Sequence, residues 1–532
     1  MRVLTAAEAR AFDRWAIDEL AVPALVLMEN AALALAEAIA TDFGEARRVA
    51  IFCGPGNNGG DGLALARQLL TRGYEVGLFL AAFGRPLSDD CARQLAICRA
   101  MDLAIFELGN DWRESAASAA TADLVVDALF GTGLERPLRA PYAALVEWLN
   151  ELPLPRLAVD IPSGLEAGRA HPIGVAIRAD ATVTVAAPKV AHLLLPAAEW
   201  VGELSVADLG VPFDLSPCAD GDLEVLTSEE LAHGLPARAA AAHKGEFGHV
   251  LLVAGSRGKA GAAILAARGA VRGGAGLVSV ATVDAAWAAL ASAVPEAMSL
   301  PIPEEAGGGL PFAALARLIA AAQERDVLAV GPGLGQSPGT FRLVRSLVLG
   351  AGGVPLVLDA DGLNAFASSR APKGTKGGGA RRPESGGLEQ LAQRRAPTIL
   401  TPHPGELARL LGCSTAEVEG DRLTSVRRAA ERSGAIVVLK GARTLIAQPS
   451  GEVAINTTGN PGMASGGSGD VLTGLLAARL AQGDDPVFAA QLAVHLHGLA
   501  GDLALAAGVA PAVPAGSLAD YLSQAHEKLA KA

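Results

Sequence analysis

RVAIFCGPGNNGGDG, residues 48–62, runs from an apolar β-rich segment directly into a glycine-dense loop, and a helical pattern follows. That is a β-loop-α unit: the glycines free the backbone to curl, and the amino end of the next helix points at whatever binds. EVGLFLA, LAIFEL, DLVVDALFG, RLAVDIPSG and ATVTVAA continue the alternation within the first 210 residues, at spacings that mostly leave room for helices, and predict a parallel sheet. After GELSVADLGVP the periodicity stops in DLSPCADGD. A second series then begins with HVLLVAGS, GLVSVAT, VLAVGPG, PLVLDA, PTILTPH and AIVVLKG. The fold class is therefore α/β with two domains, residues 1–214 and 222–532, the boundary lying near 211–222. No fixed repeat relates the halves, and their glycine motifs differ, so they are unlike domains fused together. APKGTKGGGARRPESGG, residues 371–387, is basic, low in complexity and rich in Gly and Pro, and reads as a mobile surface loop.

A formal charge of −12 repels phosphate backbones and anionic lipid, so neither nucleic acid nor membrane is an expected partner, and the ligands are expected to be small. Glu29 and Asn30 interrupt the first long apolar segment, Asp284 interrupts Leu277–Val294, and no membrane span is expected. The opening MRVLTAAEARAFDRWAIDEL lacks the apolar core of a signal peptide, which leaves the cytoplasm as the compartment. Cys53, Cys91, Cys98, Cys218 and Cys413 form no CxxC pair and read as buried or idle thiols. A homo-oligomer is expected.

In an open parallel sheet, ligands bind beyond the carboxyl ends of the strands. Gly54-Pro55-Gly56-Asn57-Asn58-Gly59 satisfies GxGxxG, but a redox dinucleotide fold wants an acid at the end of the second strand, and EVGLFLAAF carries Glu75 at its start. Two further strand ends are polar: Asp127 ahead of Gly131-Thr132-Gly133, and DIPSG with Asp160 and Ser163. Asn58, Asp127 and Ser163 offer an amide carbonyl, a carboxylate and a hydroxyl, hard oxygens that suit an alkali cation better than a transition metal. The alternative is that the two aspartates cap helices or tie down loops.

GPGNNGGDG, VVDALFGTGL and DIPSG, in this order, resemble the NAD(P)H-hydrate epimerase domain of YjeF amino-terminal type. The resemblance implies a Rossmann-like domain that interconverts the R and S forms of hydrated NADH and NADPH, with a potassium ion. It implies substrate contacts at Asn57, Asn58, Gly59, Gly60, Asp61, Gly131, Thr132, Gly133, Leu134, Glu135, Arg136, Pro137 and Asp160, and potassium ligands at Asn58, Asp127 and Ser163. Epimerisation at a carbon bearing a hydroxyl and a ring nitrogen needs proton transfer and no redox cofactor. Asp160 is the candidate for that work and Lys189 a secondary one; which acid or base carries it stays open.

The carboxyl half has no GxxxxGK[ST], so other loops must hold any nucleotide. In NTTGNPGMASGGSGDVLTG, small residues 464–469 lead into a helix whose amino end collects backbone N–H groups and suits an anion. Asp470 lies in the first turn. There it is either a dipole-matching acid or a base placed to take a proton from a hydroxyl attacking a phosphate.

GGSGD resembles the GxGD element of ribokinase-like kinases. With HKGEFGHVLLVAGS, VGPGLG, LDADGLN, LTPHPGE and VLKGART, the half is similar to the ADP- or ATP-dependent NAD(P)H-hydrate dehydratase. This implies a ribokinase-like α/β domain with hydrate contacts at Ala263, Gly333, His403 and Asp470. Nucleotide contacts are implied at Lys440, Gly441, Ala442, Arg443, Thr444 and Gly469, with Mg²⁺ accompanying ADP or ATP and Asp470 as the acid/base. Ala262 lies beside Ala263 and competes for its assignment. His403 taken alone reads equally as a structural histidine between prolines, and His495 and His497 read as structural. The expected function is bifunctional metabolite repair. The competing readings are a small-alcohol or vitamin kinase fused to a dinucleotide-binding module, and a binding module without catalysis. A vitamin kinase gives no reason for GPGNNGGDG and DIPSG, and a binding module gives none for Asp470.

Overall fold

The computed structural model describes residues 1–235, 238–367, 387–509 and 511–532. Most of the Gly- and Pro-rich insertion at 371–387 lies outside the described residues. The chain divides into two compact units, Met1–Gly221 and Asp222–Ala532.

The first unit is a seven-stranded parallel sheet: β1 Arg48–Cys53, β2 Glu75–Leu80, β3 Ile105–Glu107, β4 Leu124–Ala128, β5 Arg156–Val159, β6 Ala181–Val185 and β7 Glu203–Ala207, in the order β3-β2-β1-β4-β5-β6-β7. β1 and β4 are buried nearly throughout, because helices cover both faces of a parallel sheet and leave no polar side. The order reverses between β1 and β4, so the loop after β1 and the turn after β4 meet at the switch point. They meet backbone to backbone. The Gly54 N–H donates to Ala128 O at 2.9 Å, and a Cβ on Gly54 would stand 1.8 Å from the Leu129 carbonyl oxygen.

One expectation is corrected here. Glu29 and Asn30 do not interrupt the first apolar segment: helix Ala24–Asp42 runs through them and is long and apolar enough to cross a membrane by length and composition. The helix tolerates them because Glu29 pairs with Arg67 and accepts from Gln94 and Gln68, while Asn30 donates to Leu209 O at 2.8 Å. Leu27, Met28, Ala31, Ala32, Leu35, Ala36 and Ile39 give it a buried face, as in the core helix of a globular domain. All five cysteines are free and four are buried.

The second unit is a ten-stranded sheet: β8 Leu223–Val225, β9 His249–Val253, β10 Leu277–Val283, β11 Met298–Ile302, β12 Val327–Val330, β13 Leu356–Leu358, β14 Thr398–Leu400, β15 Ile436–Leu439, β16 Leu445–Ala447 and β17 Val453–Ile455. The order is β11-β10-β9-β12-β13-β14-β15-β16-β17-β8, parallel except where β16 lies antiparallel to β15 and β17. Helix Ser468–Ala481, buried from Val471 to Ala481, crosses helix Ala260–Arg272 in backbone contact. A Cβ on Gly474 would sit 1.9 Å from Ala266 O, and one on Gly269 2.2 Å from Val471 O. Two glycines thus set how close the helices approach, and so where the amino end of Ser468–Ala481 lies.

Intrinsic propensity favours Ala over Gly in a helix by about 1 kcal/mol, yet Gly474→Ala is expected to destabilise this unit by about 1–3 kcal/mol, because the methyl group meets a backbone carbonyl. Gly261→Ala, where nothing lies within 4 Å, is expected to be neutral or stabilising. Urea unfolding of the two variants checks the contrast.

Candidate functional sites

In the first unit, the strand ends converge on Asp160, which follows β5 and holds a left-handed backbone (φ 64°). Non-glycine residues rarely adopt that conformation, and here a dense set of bonds fixes it. Lys189 Nζ donates to Asp160 Oδ1 at 2.6 Å, to Thr184 Oγ1 at 2.7 Å and to Val185 O at 3.0 Å. All three ammonium donors are used, as a fully buried lysine requires. Thr132 donates to Asp160 Oδ2 from its backbone N at 3.1 Å and from its hydroxyl at 2.5 Å. Burial alone would raise the Asp160 carboxyl, but the Lys189 charge and the hydrogen bonds of Lys189 and Thr132 outweigh it and hold the group well below the usual carboxylate range.

Asp61, in the first turns of helix Asn57–Thr71, behaves oppositely. Burial pushes its carboxyl well above the ordinary value, and the negative charges of Asp160 and Asp13 push it further. Lys189 and Thr132 thus favour the anion at Asp160, while burial and neighbouring negative charge disfavour it at Asp61. Gly131 lies between Asn58 and Asp160: a Cβ there would stand 2.9 Å from Asn58 Oδ1 and 3.0 Å from Asp160 Oδ2. Of the 131–137 turn, Gly131 and Thr132 reach Asp160. Gly133, Glu135, Arg136 and Pro137 are exposed, and Glu135 faces Arg10 at 3.9 Å. Leu134 is half-buried, and its N–H closes the turn onto Gly131 O. Asn57 is exposed at the helix start, while Gly59 and Gly60 are buried against Gly54 O and the Met28 side chain.

Asp127 and Ser163 are in direct contact. The Ser163 hydroxyl donates to Asp127 Oδ1 at 2.7 Å and its N–H to Oδ2 at 2.8 Å, while the Phe130 N–H donates to Ser163 Oγ at 2.9 Å. Burial raises the Asp127 carboxyl to about 6 even against these donors. Asn58 Nδ2 is buried without a hydrogen-bond partner.

In the second unit, the switch point lies between β9 and β12, and the loops after β12 to β15 gather with the amino end of Ser468–Ala481. Lys440 Nζ donates to Asp359 Oδ1 at 2.7 Å; Asp359 also accepts from Thr401 at 2.8 Å and from Thr473 at 2.9 Å. A Cβ on Gly469 would meet Lys440 Nζ at 3.1 Å, so the ammonium lies against the small-residue loop. Arg422 supports the 440–444 loop from below, donating to Ala442 O at 2.6 Å and to Leu439 O at 3.3 Å. Gly441 has φ 144°, Arg443 donates to Thr457 O at 2.9 Å, and the Thr444 hydroxyl closes on Gly441 O at 3.0 Å.

Asp470 is half-buried, and among the described residues its carboxylate makes no hydrogen bond or ion pair; the helix start at Gly467 has no side-chain cap. Burial raises its carboxyl to about 7, helped by the charges of Asp359, Asp361 and Glu406 and opposed by Lys440. Asp361 accepts from the Gly335 N–H at 2.8 Å and from Gln336 at 2.9 Å, holding the 331–336 loop in place. Gly333 has φ 64° and lies against Ala262 and Lys259, and Ala263 is fully buried beneath Gly255. His403 Nδ1 accepts from the Gly405 and Glu406 N–H groups and caps helix Pro404–Leu411, while Nε2 of the half-exposed ring lies 3.5 Å from Glu406 Oε1. His497 Nε2 meets Ser468 O at 3.0 Å; burial lowers its pKa to about 4, and it is a neutral brace for the helix start.

Sequence reasoning singled out Asp160, Asp127, Ser163, Lys189 and Asp470 but not Asp61 as an acid apart from its motif, nor Asp359, Thr184, Thr401 and Thr473. Each missed residue lies at a strand end or in a helix turn. Position beyond a strand's carboxyl end was the signal for Asp359.

Two largely parallel sheets, each with a glycine loop at its switch point and a lysine–carboxylate pair beyond its strand ends, define a two-domain α/β enzyme, Rossmann-like in the first unit and ribokinase-like in the second. Residues 24–191 match the family model described as YjeF-related protein N-terminus, and residues 250–524 that described as NAD(P)H-hydrate dehydratase. A bifunctional NAD(P)H-hydrate repair enzyme of Moorella thermoacetica is 43% identical over 527 residues, covering 98% of this chain and 96% of that one. Its Escherichia coli counterpart is 35% identical over 491 residues, with 92% and 87% covered. Among solved structures, the ADP/ATP-dependent NAD(P)H-hydrate dehydratase of Bacillus subtilis co-crystallised with ATP/Mg²⁺ is 32% identical, with TM-score 0.48, over 58% of this chain and 99% of that one. The chain belongs to the family of bifunctional NAD(P)H-hydrate repair enzymes. It carries an epimerase domain followed by a dehydratase domain, and the vitamin-kinase reading is set aside.

Lys189→Met leaves Asp160 as a buried charge without its partner and is expected to destabilise the first unit by about 3–5 kcal/mol, read by urea unfolding. An unchanged midpoint would show that water reaches Asp160.

Proposed function

We propose that residues 1–214 epimerise hydrated NADH and NADPH around Asp160 and Asp61, and that residues 222–532 dehydrate the S form at the expense of ADP or ATP with Asp470 as base. The compartment proposed is the cytoplasm. The observation that carries the reading is Asp470, unpaired among the described residues and pushed up to about 7, beside the small-residue helix start, where a Cβ on Gly469 would stand 3.1 Å from Lys440 Nζ.

In the first unit, Asp61, whose protonated form its surroundings favour, would protonate the departing ring hydroxyl, and the fixed Asp160 anion would stabilise the positive charge that develops on the ring. Return of water to either face, with the proton going back to Asp61, completes epimerisation. Potassium fits this unit: Asp127, Ser163 and the Phe130 carbonyl form a set of hard oxygens, with Ser163 Oγ 3.1 Å from Phe130 O, and the orphaned Asn58 amide would supply its oxygen on a half-turn flip. The ion would lock the DIPSG loop beneath Asp160. Replacing KCl with choline chloride at equal ionic strength is then expected to lower the melting temperature of the first unit and its epimerase rate; equal melting curves would remove the ion.

In the second unit, Asp470 takes the proton from the ring hydroxyl as that oxygen attacks the terminal phosphorus of the nucleotide, breaking the bond to AMP or ADP. The phosphate ester then departs as phosphate while the adjacent ring carbon loses a proton to water, restoring the double bond of NAD(P)H. Hydroxide is a poorer leaving group than phosphate, which is why the nucleotide is spent. Lys440 and the N–H groups of 467–469 are placed to bind the phosphates and Arg443 and Thr444 to border the nucleotide. Among the described residues no cluster of three His, Cys, Asp or Glu could hold a metal, so Mg²⁺ is proposed to arrive on the nucleotide's phosphates, offsetting their charge, and no step runs through it.

Asp470→Asn is expected to cut dehydration by about 10²–10⁴-fold and spare epimerisation, and Asp160→Asn to do the reverse, followed as NADPH absorbance from an R and S hydrate mixture with ADP. Near-normal dehydration by Asp470→Asn would return that residue to a helix-end acid. A base must be ionised, so the dehydratase kcat/KM of the native chain is expected to fall as pH drops through about 7, where Asp470 takes up its proton. A rate independent of pH between 6 and 8 (roughly one unit either side) would contradict the assignment.

A further inference from the structure

A lysine beside a catalytic carboxylate can pair with it, and a base held in an ion pair is a weak base. Lys440 and Asp470 are such neighbours: Lys440 Nζ lies against Gly469, and its charge acts on Asp470. Yet the two do not bond. The Lys440 ammonium is taken by Asp359, which is buried at the end of β13 and bonded on both oxygens: Oδ1 accepts from Lys440 and from Thr401 at 2.8 Å, Oδ2 from Thr473 at 2.9 Å. Thr473 lies one helical turn below Gly469, whose carbonyl its hydroxyl also meets at 3.1 Å. Asp359 therefore ties three elements to one point: β14 through Thr401, the loop after β15 through Lys440, and the helix carrying Asp470 through Thr473.

We infer that Asp359 is a positioning residue for dehydration, drawing the Lys440 ammonium away from Asp470 and holding it against the helix start, so that the base stays unpaired while the cation faces the nucleotide's phosphates. The inference rests on Asp470 being the base. It assigns Asp359 no contact with substrate. The charged and titratable groups facing Asp470 are Asp359 just after β13, Lys440 just after β15, Asp361 from helix Ala360–Asn364 and Glu406 from helix Pro404–Leu411; His497, from helix Pro486–Ala506, is bonded to Ser468 and neutral. Removing the Asp359 charge takes away a group that raises Asp470 and frees the cation that lowers it. Both changes act in one direction. Removing the Lys440 charge acts in the other.

The test is the pH profile of dehydratase kcat in the full-length chain, with the S form of hydrated NADPH and saturating ADP, for the native protein, Asp359→Asn and Lys440→Met. Asp359→Asn is expected to move the acid limb down by about one pH unit or more, and Lys440→Met to move it up; KM for ADP rises in both because the cation is misplaced or gone. A merely structural ion pair would lower kcat in both variants and move neither limb. Unmoved limbs, or limbs that move in the same direction, overturn the inference. If Asp359→Asn does not fold, Lys440→Met alone decides: a limb that stays or falls overturns it. Asp470→Asn separates the two levels. Near-normal turnover there removes Asp470 as the base, whereas lost turnover there with unmoved limbs in the other two variants removes only the role of Asp359.

Discussion

A carboxylate brought out of water needs a partner, and in each unit a lysine beyond the strand ends, Lys189 in the first and Lys440 in the second, meets that demand. The two lysines are used differently. Lys189 is wholly buried, and its three donors are all spent inside the protein, so it fixes an anion and can touch nothing else. Lys440 keeps a fifth of its side chain exposed and, among the described residues, bonds to Asp359 alone, leaving N–H groups for a ligand. One ammonium is part of the scaffold that presents Asp160. The other is part of the surface proposed to meet phosphate.

The same demand separates carboxylates that look alike in a sequence. Asp160 and Asp61 both follow strand ends, the first in a loop and the second in the first turns of a helix, yet the lysine reaches only the first, and the second is driven toward its neutral form. Asp359 and Asp470 repeat the division: the paired one is bonded on both oxygens, and the unpaired one rises to about 7. The proposed acid and base roles follow from which carboxylate the ammonium reaches.

The alternation of apolar runs and glycine turns made both sheets legible, because buried parallel strands need unbroken apolar segments. Four strands escaped. β8, β16 and β17 are three residues each, and β11 includes Pro301 and exposes Met298, so none stands out from the loops beside it. Glu29 and Asn30 were misread because their partners, Arg67, Gln94 and Leu209, lie far along the chain. The candidate sites divide in the same way. Residues within compact motifs, such as Asn58, Asp160 and Asp470, could be picked out from local spacing. Asp359 lies in such a motif, LDADGLN, but its role was not legible there, since Lys440 and Thr473 lie 81 and 114 residues from it and only the fold brings them together.

The place of β8 also bears on how the protein is made. The chain enters its second unit at the far edge of the sheet, where β8 pairs with β17. From Val225 to Val453 about 230 residues must leave the ribosome before that strand has a neighbour, a long loop to close. The first sheet has no such debt: all its strands lie within residues 48–207. At ordinary rates of synthesis, roughly 5–20 residues per second, the amino-terminal domain has at least ten seconds or so to fold before the last strand of its companion emerges. β8 spends that interval as an unpaired edge of only three residues, too short to recruit another chain. Its brevity, which hides it in the sequence, protects the nascent protein.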